Sequence, residues 1–273
     1  MKENIPVIIL CGGLGTRMGE LTDTIPKPLL RIGEFPILYH IMRYYASYGF
    51  NEFILPLGYK GWMIRDYFIN FVNHHFKMKI QHPYGMWRDE NRLFIENEEL
   101  TKYCPWDVTF IDTGETTLTG SRVSKALREY SFDNECKDVM VTYGDGLADV
   151  NLKELLEFHR SHNKVATMTG VKSLPRFGEI QANNTDIVSF SEKKSKNHTL
   201  INGGFLVFKK EILKYLPEEG DYALEGNPML QLVKNKELKM YKHEGNWSCV
   251  DNPRELAVLN ELWKNQKAFW WRK

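Results

Sequence analysis

Cysteine is scarce in this chain of 273 residues, and its four copies stand far apart at Cys11, Cys104, Cys136 and Cys249. No Cys-x-x-Cys pair exists, which argues against a zinc knuckle and against a disulfide framework. Reduced thiols in the cytoplasm are the expectation. Net charge is scarce too: 36 basic and 35 acidic side chains leave +1. No global field draws such a chain to nucleic acid or to a membrane surface, and neither is expected as a partner. No apolar run is long enough to span a bilayer. Met1-Lys2-Glu3-Asn4 runs straight into the first apolar segment, which leaves no room for a signal peptide. Internal repeats, low-complexity tracts and hinge-like linkers are absent. What remains, 42% hydrophobic and 26% charged, is an ordinary globular composition with length enough for a sizeable core.

The strongest positive signal lies near the start. Pro6-Val7-Ile8-Ile9-Leu10-Cys11-Gly12-Gly13-Leu14-Gly15-Thr16-Arg17 sets an apolar, β-branched run against glycines, a hydroxyl and an arginine. The run reads as a buried strand. The glycines let the backbone turn sharply and bring N–H groups close to a ligand, and Arg17 adds a fixed positive fork. Phosphate binding needs these parts, although a plain tight turn has the same composition. Lys27 follows between Pro26 and Pro28, on a segment the prolines make extended and stiff. It reads as a phosphate contact or as a solvated loop lysine.

Residues 36–49 read as a helix ended by Gly49, 52–56 as a strand, and 60–72 as a helix whose Trp62, Tyr67, Phe68 and Phe71 are expected in the core. Strands alternating with helices imply an α/β fold with a parallel sheet and right-handed crossovers. Residues 73–106 break this rhythm and read as an insertion. His74, His75 and His82 within it lack converging carboxylates and are not read as a metal site. After a strand at 106–114, Thr119 is expected to cap a helix with Arg122 in its first turn. An arginine there opposes the helix dipole, which hints at a ligand role. A strand at 138–143 delivers Asp145, between Gly144 and Gly146, to the carboxyl end of the sheet, where open α/β sheets bind ligands. Such an aspartate is a metal ligand or a helix cap, and Asp149 follows just beyond. A helix at 151–162 gives way to a β-rich second half, with strands at 165–171, 178–181, 187–190 and 204–208 and a helix near 224–235. Asp251 emerges from a short late strand before a closing helix at 253–267. It reads either as a second functional carboxylate or, with Asn252, as that helix's cap.

Together these motifs resemble a known family. Gly12-Gly13-Leu14-Gly15-Thr16-Arg17 with Pro26-Lys27-Pro28 resembles the signature of the sugar-1-phosphate nucleotidyltransferases. Tyr143-Gly144-Asp145-Gly146, Glu192-Lys193, Asn202-Gly203-Gly204 and Trp247 with Asp251 fall in the order that family uses. Asp112-Thr113-Gly114, Thr119-Gly120-Ser121-Arg122, Gly58-Tyr59-Lys60-Gly61 and Arg176-Phe177-Gly178 look like its glucose-1-phosphate cytidylyltransferase branch. The resemblance covers essentially the whole chain. It implies a Rossmann-like, mixed but mainly parallel sheet flanked by helices, of the nucleotide-diphospho-sugar transferase type. It implies one domain, 1–273, with a nucleotide-binding half at about 1–150 and a sugar-binding half at about 151–273.

The implied reaction is CTP plus α-D-glucose 1-phosphate giving CDP-glucose and pyrophosphate, in a cytoplasmic homo-oligomer that feeds deoxysugars for surface polysaccharide. The same frame also serves other sugar 1-phosphates and other nucleotides. By the resemblance, Arg17, Lys27 and Asp145 are catalytic, and Asp145 and Asp251 hold Mg2+. Leu10, Gly12, Gly13, Gly15, Thr16, Arg17, Thr119, Gly120, Arg122 and Gly144 bind the nucleotide, with Thr119 and Arg122 reading cytosine. Lys27, Glu192, Lys193, Asn202 and Gly203 bind the sugar phosphate. A dehydrogenase is disfavoured: Gly13-Leu14-Gly15-Thr16-Arg17-Met18-Gly19 has the wrong last spacing for a dinucleotide fingerprint, and no acidic residue ends the second strand. A non-catalytic relative would be expected to lose Arg17, Lys27 or one aspartate, and all are present.

Overall fold

A computed structural model describes residues 5–71, 92–93, 106–131, 136–172, 179–183, 186–191 and 200–271. The opening apolar run is strand β1 (Val7–Leu10), buried along its whole length because it serves two cores. Val7 and Ile9 pack into one cluster, Ile8 and Leu10 into the other, as a strand's period of two requires when both faces are covered. The chain then forms α1 (Glu20–Thr24), the short pair β2 (Arg31–Ile32) and β3 (Phe35–Pro36), α2 (Ile37–Ala46), β4 (Glu52–Leu57) and α3 (Gly61–Ile69). Next come β5 (Arg92–Leu93), β6 (Asp107–Asp112), α4 (Thr119–Glu129), β7 (Asp138–Tyr143), β8 (Gly146–Ala148), α5 (Leu152–His162) and β9 (Ala166–Lys172). The remainder is β10 (Glu179–Asn183), β11 (Asp186–Ser191), β12 (Leu200–Asn202), β13 (Leu206–Lys209), α6 (Asn227–Lys234), β14 (Leu238–His243), β15 (Trp247–Cys249) and α7 (Pro253–Lys264).

Among the described residues one large sheet runs β12-β9-β13-β7-β1-β4-β6-β5, with β14 also on β9. Strands β7, β1, β4 and β6 are parallel, and β13 lies antiparallel between β7 and β9. Thus the mixed, mainly parallel sheet flanked by helices is what the chain forms. On one face, α2 and α3 bring Ile37, Leu38, Ile41, Ile64 and Phe68 against β1 and β4. On the other, Val123, Ala126 and Leu127 of α4 cover Ile8, Ile54 and Val141. Among the described residues no helix is long and apolar enough to cross a membrane.

Several expectations need correction. Trp62 is not core: it is 67% exposed on α3, whereas Tyr67, Phe68 and Phe71 are buried. Nor does Thr119 cap α4. The cap position is Leu118, without a side-chain bond, and the Thr119 hydroxyl turns to Glu225. Strand β14 carries no clear signal in the sequence, because lysines interrupt its apolar residues and half of its residues are exposed. The alternative left open at Asp251 is resolved by α7, whose capping side chain is Asn252, accepting from Glu255 N at 3.0 Å. His74, His75, His82, Cys104, Glu192, Lys193 and residues 176–178 lie outside the described residues.

Candidate active site

The parallel strands β1, β4, β6 and β7 end at one edge of the sheet, and a cleft of about 480 Å³ opens there. Leu10, Cys11, Gly12, Gly13, Leu14, Gly15, Thr16 and Arg17 form one wall. Lys27, Pro28, Tyr143, Gly144 and Asp145 form a second, and Glu115 to Thr119 with Arg122 and Glu225 a third. Two glycines are required here by contact. A Cβ on Gly12 would meet the Arg122 guanidinium at 2.2 Å, and one on Gly144 would meet the Leu10 carbonyl oxygen at 2.6 Å. Gly15 stands at φ +68°, in the region that favours glycine.

Asp145 and Asp251 meet although 106 positions separate them in the chain. After β7 the backbone turns into β8, and β8 pairs antiparallel with β15, Gly146 opposite Cys249. Val250 N donates to the Asp145 carbonyl at 2.9 Å. Register alone therefore brings the second aspartate beside the first. Asp251 is braced from behind, its N–H donating to Glu255 Oε2 at 2.7 Å.

Lys27 Nζ lies 2.5 Å from Asp145 Oδ2 and 3.2 Å from Asp251 Oδ1. Arg17 Nη1 lies 2.8 Å from Asp251 Oδ2. The four groups form one chain of charges: Arg17, Asp251, Lys27, Asp145. Two carboxylates gripping a single ammonium have the donor set and convergence that suit a hard divalent cation, so the residues fit the expected metal. Cys249 offers a sulfur within 4.8 Å of Asp251 and Glu255 oxygens. Burial, then the negative charges of Asp251 and Glu255, push its thiol up to about 12. Burial likewise raises the Cys11 thiol, which is inert at the foot of the glycine loop.

Arg122 is where expectation and structure part most. Direct contact with a base requires a guanidinium free to donate. Instead it is 2% exposed. Nη1 donates to the Leu57 carbonyl, to Thr113 Oγ1 and to the Gly114 carbonyl at 3.0, 2.5 and 2.8 Å. Nη2 donates to the carbonyls of Gly12 and Glu115 at 2.8 and 3.1 Å. The side chain ties the ends of β1, β4 and β6 together beneath the cleft. Burial lowers its pKa, and this dense set of acceptors supports the charged form.

Other expected residues divide. Gly120 does not line the cleft; a Cβ there would strike the Tyr222 ring at 2.6 Å, so it serves packing of α4 against residues 220–225. Asn202 and Gly203 also lie outside the cleft lining, at a break where β12 and β13 follow one another along β9 with Gly204 and Phe205 at positive φ. Asn202 Nδ2 reaches the Tyr143 hydroxyl at 3.0 Å, and the Trp247 indole donates to the Gly203 carbonyl at 2.8 Å. Tyr143 and Glu225 were missed. The Tyr143 hydroxyl donates to Glu225 Oε1, and Thr119 Oγ1 donates to Glu225 Oε2 at 2.8 Å. Burial, then the Glu225 charge, raise the Tyr143 pKa and keep it a donor. Tyr143 stands beside the Gly-Asp-Gly motif and could have been found by that adjacency. Glu225 carries no such signal; ahead of α6 it looks like an ordinary surface acid.

The chain matches the family model described as nucleotidyl transferase over residues 6–265. A Bacillus subtilis protein named probable glucose-1-phosphate cytidylyltransferase is 39% identical over 263 residues, covering 96% of this chain and 98% of its own length. A Salmonella typhimurium protein named glucose-1-phosphate cytidylyltransferase is 36% identical over 263 residues, covering 96% and 97%. The crystal structure of HddC from Yersinia pseudotuberculosis superposes with a TM-score of 0.63 at 23% identity, covering 95% of this chain and 99% of that one. That likeness bears on the fold, which is of the nucleotide-diphospho-sugar transferase type.

Proposed function

The chain belongs to the nucleotidyl transferase family, and on that premise we propose that it transfers a cytidylyl group from CTP to α-D-glucose 1-phosphate, giving CDP-glucose and pyrophosphate. The observation that carries the choice of substrates is the 36–39% identity to the two cytidylyltransferases across 96% of the chain. The cleft at the carboxyl ends of the parallel strands, with cations and carboxylates at its mouth, supports the reaction type.

An oxygen of the sugar phosphate attacks the α-phosphorus of CTP in line, the new P–O bond forms, and the α–β bridging bond breaks to release pyrophosphate. The nucleophile is already an anion, so no side chain has to take a proton. The difficulty is to bring two anions together while charge grows on the leaving group, which positioning and electrostatics relieve. In this reading Gly12, Gly13, Gly15 and Thr16 hold the triphosphate against the end of β1. Arg17 neutralises the departing pyrophosphate. Lys27, between the two substrates, screens their repulsion. Asp145 and Asp251 would hold Mg2+, which would supply positive charge to offset that of the phosphates. Leu10, Gly144 and Thr119 shape the nucleoside side, with Gly120 behind them letting α4 pack against Tyr222. Arg122 fixes the walls around the base from below, with its own donors already engaged. Asn202, Gly203, Glu192 and Lys193 serve the sugar phosphate.

The test is pyrophosphate release by the purified chain with Mg2+, each of the four nucleoside triphosphates and a panel of sugar 1-phosphates. CTP with glucose 1-phosphate is expected to give the highest kcat/KM. A higher value for another pair would replace these substrates while leaving the chemistry in place.

A further inference from the structure

Lys27 and Arg17 are assigned above to phosphate, yet both are engaged by carboxylates assigned to the cation. The Lys27 side chain is 13% exposed, with Nζ 2.5 Å from Asp145 Oδ2 and 3.2 Å from Asp251 Oδ1. Arg17 takes the other oxygen of Asp251 at 2.8 Å. Prolines flank Lys27, and its backbone opens a 3-10 turn at Lys27–Leu29, so the ammonium is aimed at the acids from a stiff base. The two cations balance Asp145 and Asp251, with Glu255 a third carboxylate beside Asp251. A single divalent cation carries the same charge as Arg17 and Lys27 together.

A dication and an ammonium cannot share the same oxygens, because like charges a few ångströms apart repel strongly away from bulk water. Two bare carboxylates side by side repel equally. The carboxylates therefore hold one partner or the other. A lysine suits such an exchange, being a point charge on a flexible stem with rotatable donors. The released Lys27 and Arg17 need anions in turn, and a triphosphate entering along the glycine wall supplies them.

We propose that Lys27 and Arg17 are the resting counter-ions of the cation site. Their heads occupy the carboxylate oxygens that a divalent cation takes. The bare cation consequently binds weakly, and cation and triphosphate enter together, the phosphates drawing both side chains out as the cation moves in. This inference rests on the reading of Asp145 and Asp251 as cation ligands. It adds that the free protein holds that site closed with its own phosphate-binding residues.

The experiment uses Mn2+ alone, without nucleotide, and reads bound metal by electron paramagnetic resonance of the free ion. Lys27→Gln is expected to bind Mn2+ about tenfold more tightly than the unaltered chain, since a competing charge is gone. Equal or weaker binding by the variant overturns the proposal. Asp145→Asn should lower Mn2+ affinity in both backgrounds; undiminished binding would show that the cation sits elsewhere and would overturn the proposal together with the metal assignment. A second readout does not depend on how the variant folds. Reductive methylation of Lys27 in the unaltered chain, followed by mass spectrometry, should accelerate in excess Mn2+ relative to that of Lys242, as the ammonium leaves its acids. An unchanged ratio also overturns the proposal. None of these measurements uses CTP or a sugar phosphate, so a failed pyrophosphate assay would remove the substrate reading and leave the exchange to be judged by its own results.

Discussion

Two arginines border the same cleft and have opposite surroundings. At the rim, Arg17 is 73% exposed and reaches a carboxylate that also serves Lys27. On the floor, Arg122 is 2% exposed and donates to oxygens of Leu57, Thr113, Gly114, Gly12 and Glu115. The rim charges answer one another, side chain to side chain. The floor charge answers four carbonyls and one hydroxyl at the ends of three strands, and of these Leu57 O also accepts from Thr113 and Gly12 O from Tyr59 N. Removing it would take a donor from five oxygens at once. Burial and the identity of the partner, more than residue type, separate a group that binds from a group that holds the binding surface in shape.

The largest expected effect is at the rim. Asp145→Asn removes a charge with little change of shape and should lower turnover on the order of a thousandfold, with thermal stability near that of the unaltered chain. Turnover within a few-fold of normal would remove Asp145 from the chemistry. On the floor, Arg122→Ala should reverse the pattern. Stability should fall by about 3 kcal/mol as the hydrogen-bond network that ties the ends of β1, β4 and β6 is lost, read by denaturant titration, with the preference for CTP over UTP changed little in the folded fraction. A stable variant that no longer prefers CTP would break the comparison and make Arg122 a reader of the base after all.

The smallest effect sharpens the rule at a distance from the cleft. His40 is fully buried, with Nε2 donating to the Ile32 carbonyl at 2.9 Å and Nδ1 accepting from the Trp270 indole at 3.2 Å. Burial lowers its pKa from 6.5 to about 4, so the folded chain holds it neutral. Its contribution is present in full above the unfolded value near 6.5. It is lost as pH falls toward 4, because there the unfolded chain binds the extra proton and the folded one does not. Between pH 7 and pH 5 the loss should be about 2 kcal/mol. Denaturant titrations at both pH values should show His40→Gln losing less across that interval than the unaltered chain. Parallel losses would mean that His40 is not held neutral by its site.

Much of the frame was legible in the sequence because its cause is local. The apolar run at Val7–Leu10, the glycines after it and the strand ahead of Asp145 each follow from neighbours a few residues away. Trp62 was misjudged because aromatic residues at helical spacing look alike whether or not another element arrives to cover them. Glu225 was invisible because its role depends on Thr119 and Tyr143, which approach it only in the folded chain.

Residue pattern by itself determined the α/β class, the glycine loop at the carboxyl end of the first strand and the identity of the acids and cations available to the site. Only the tertiary structure decided how those charges are shared. The pairing of Gly146 with Cys249 puts Asp251 beside Asp145, Asn252 relieves Asp251 of the capping role, and α4 carries Arg122 beneath Gly12 at the floor of the cleft. The physical reason is one of range. Strand and turn preferences act between near neighbours, whereas the partner of a charge is set by strand register and burial, which join segments far apart in the chain.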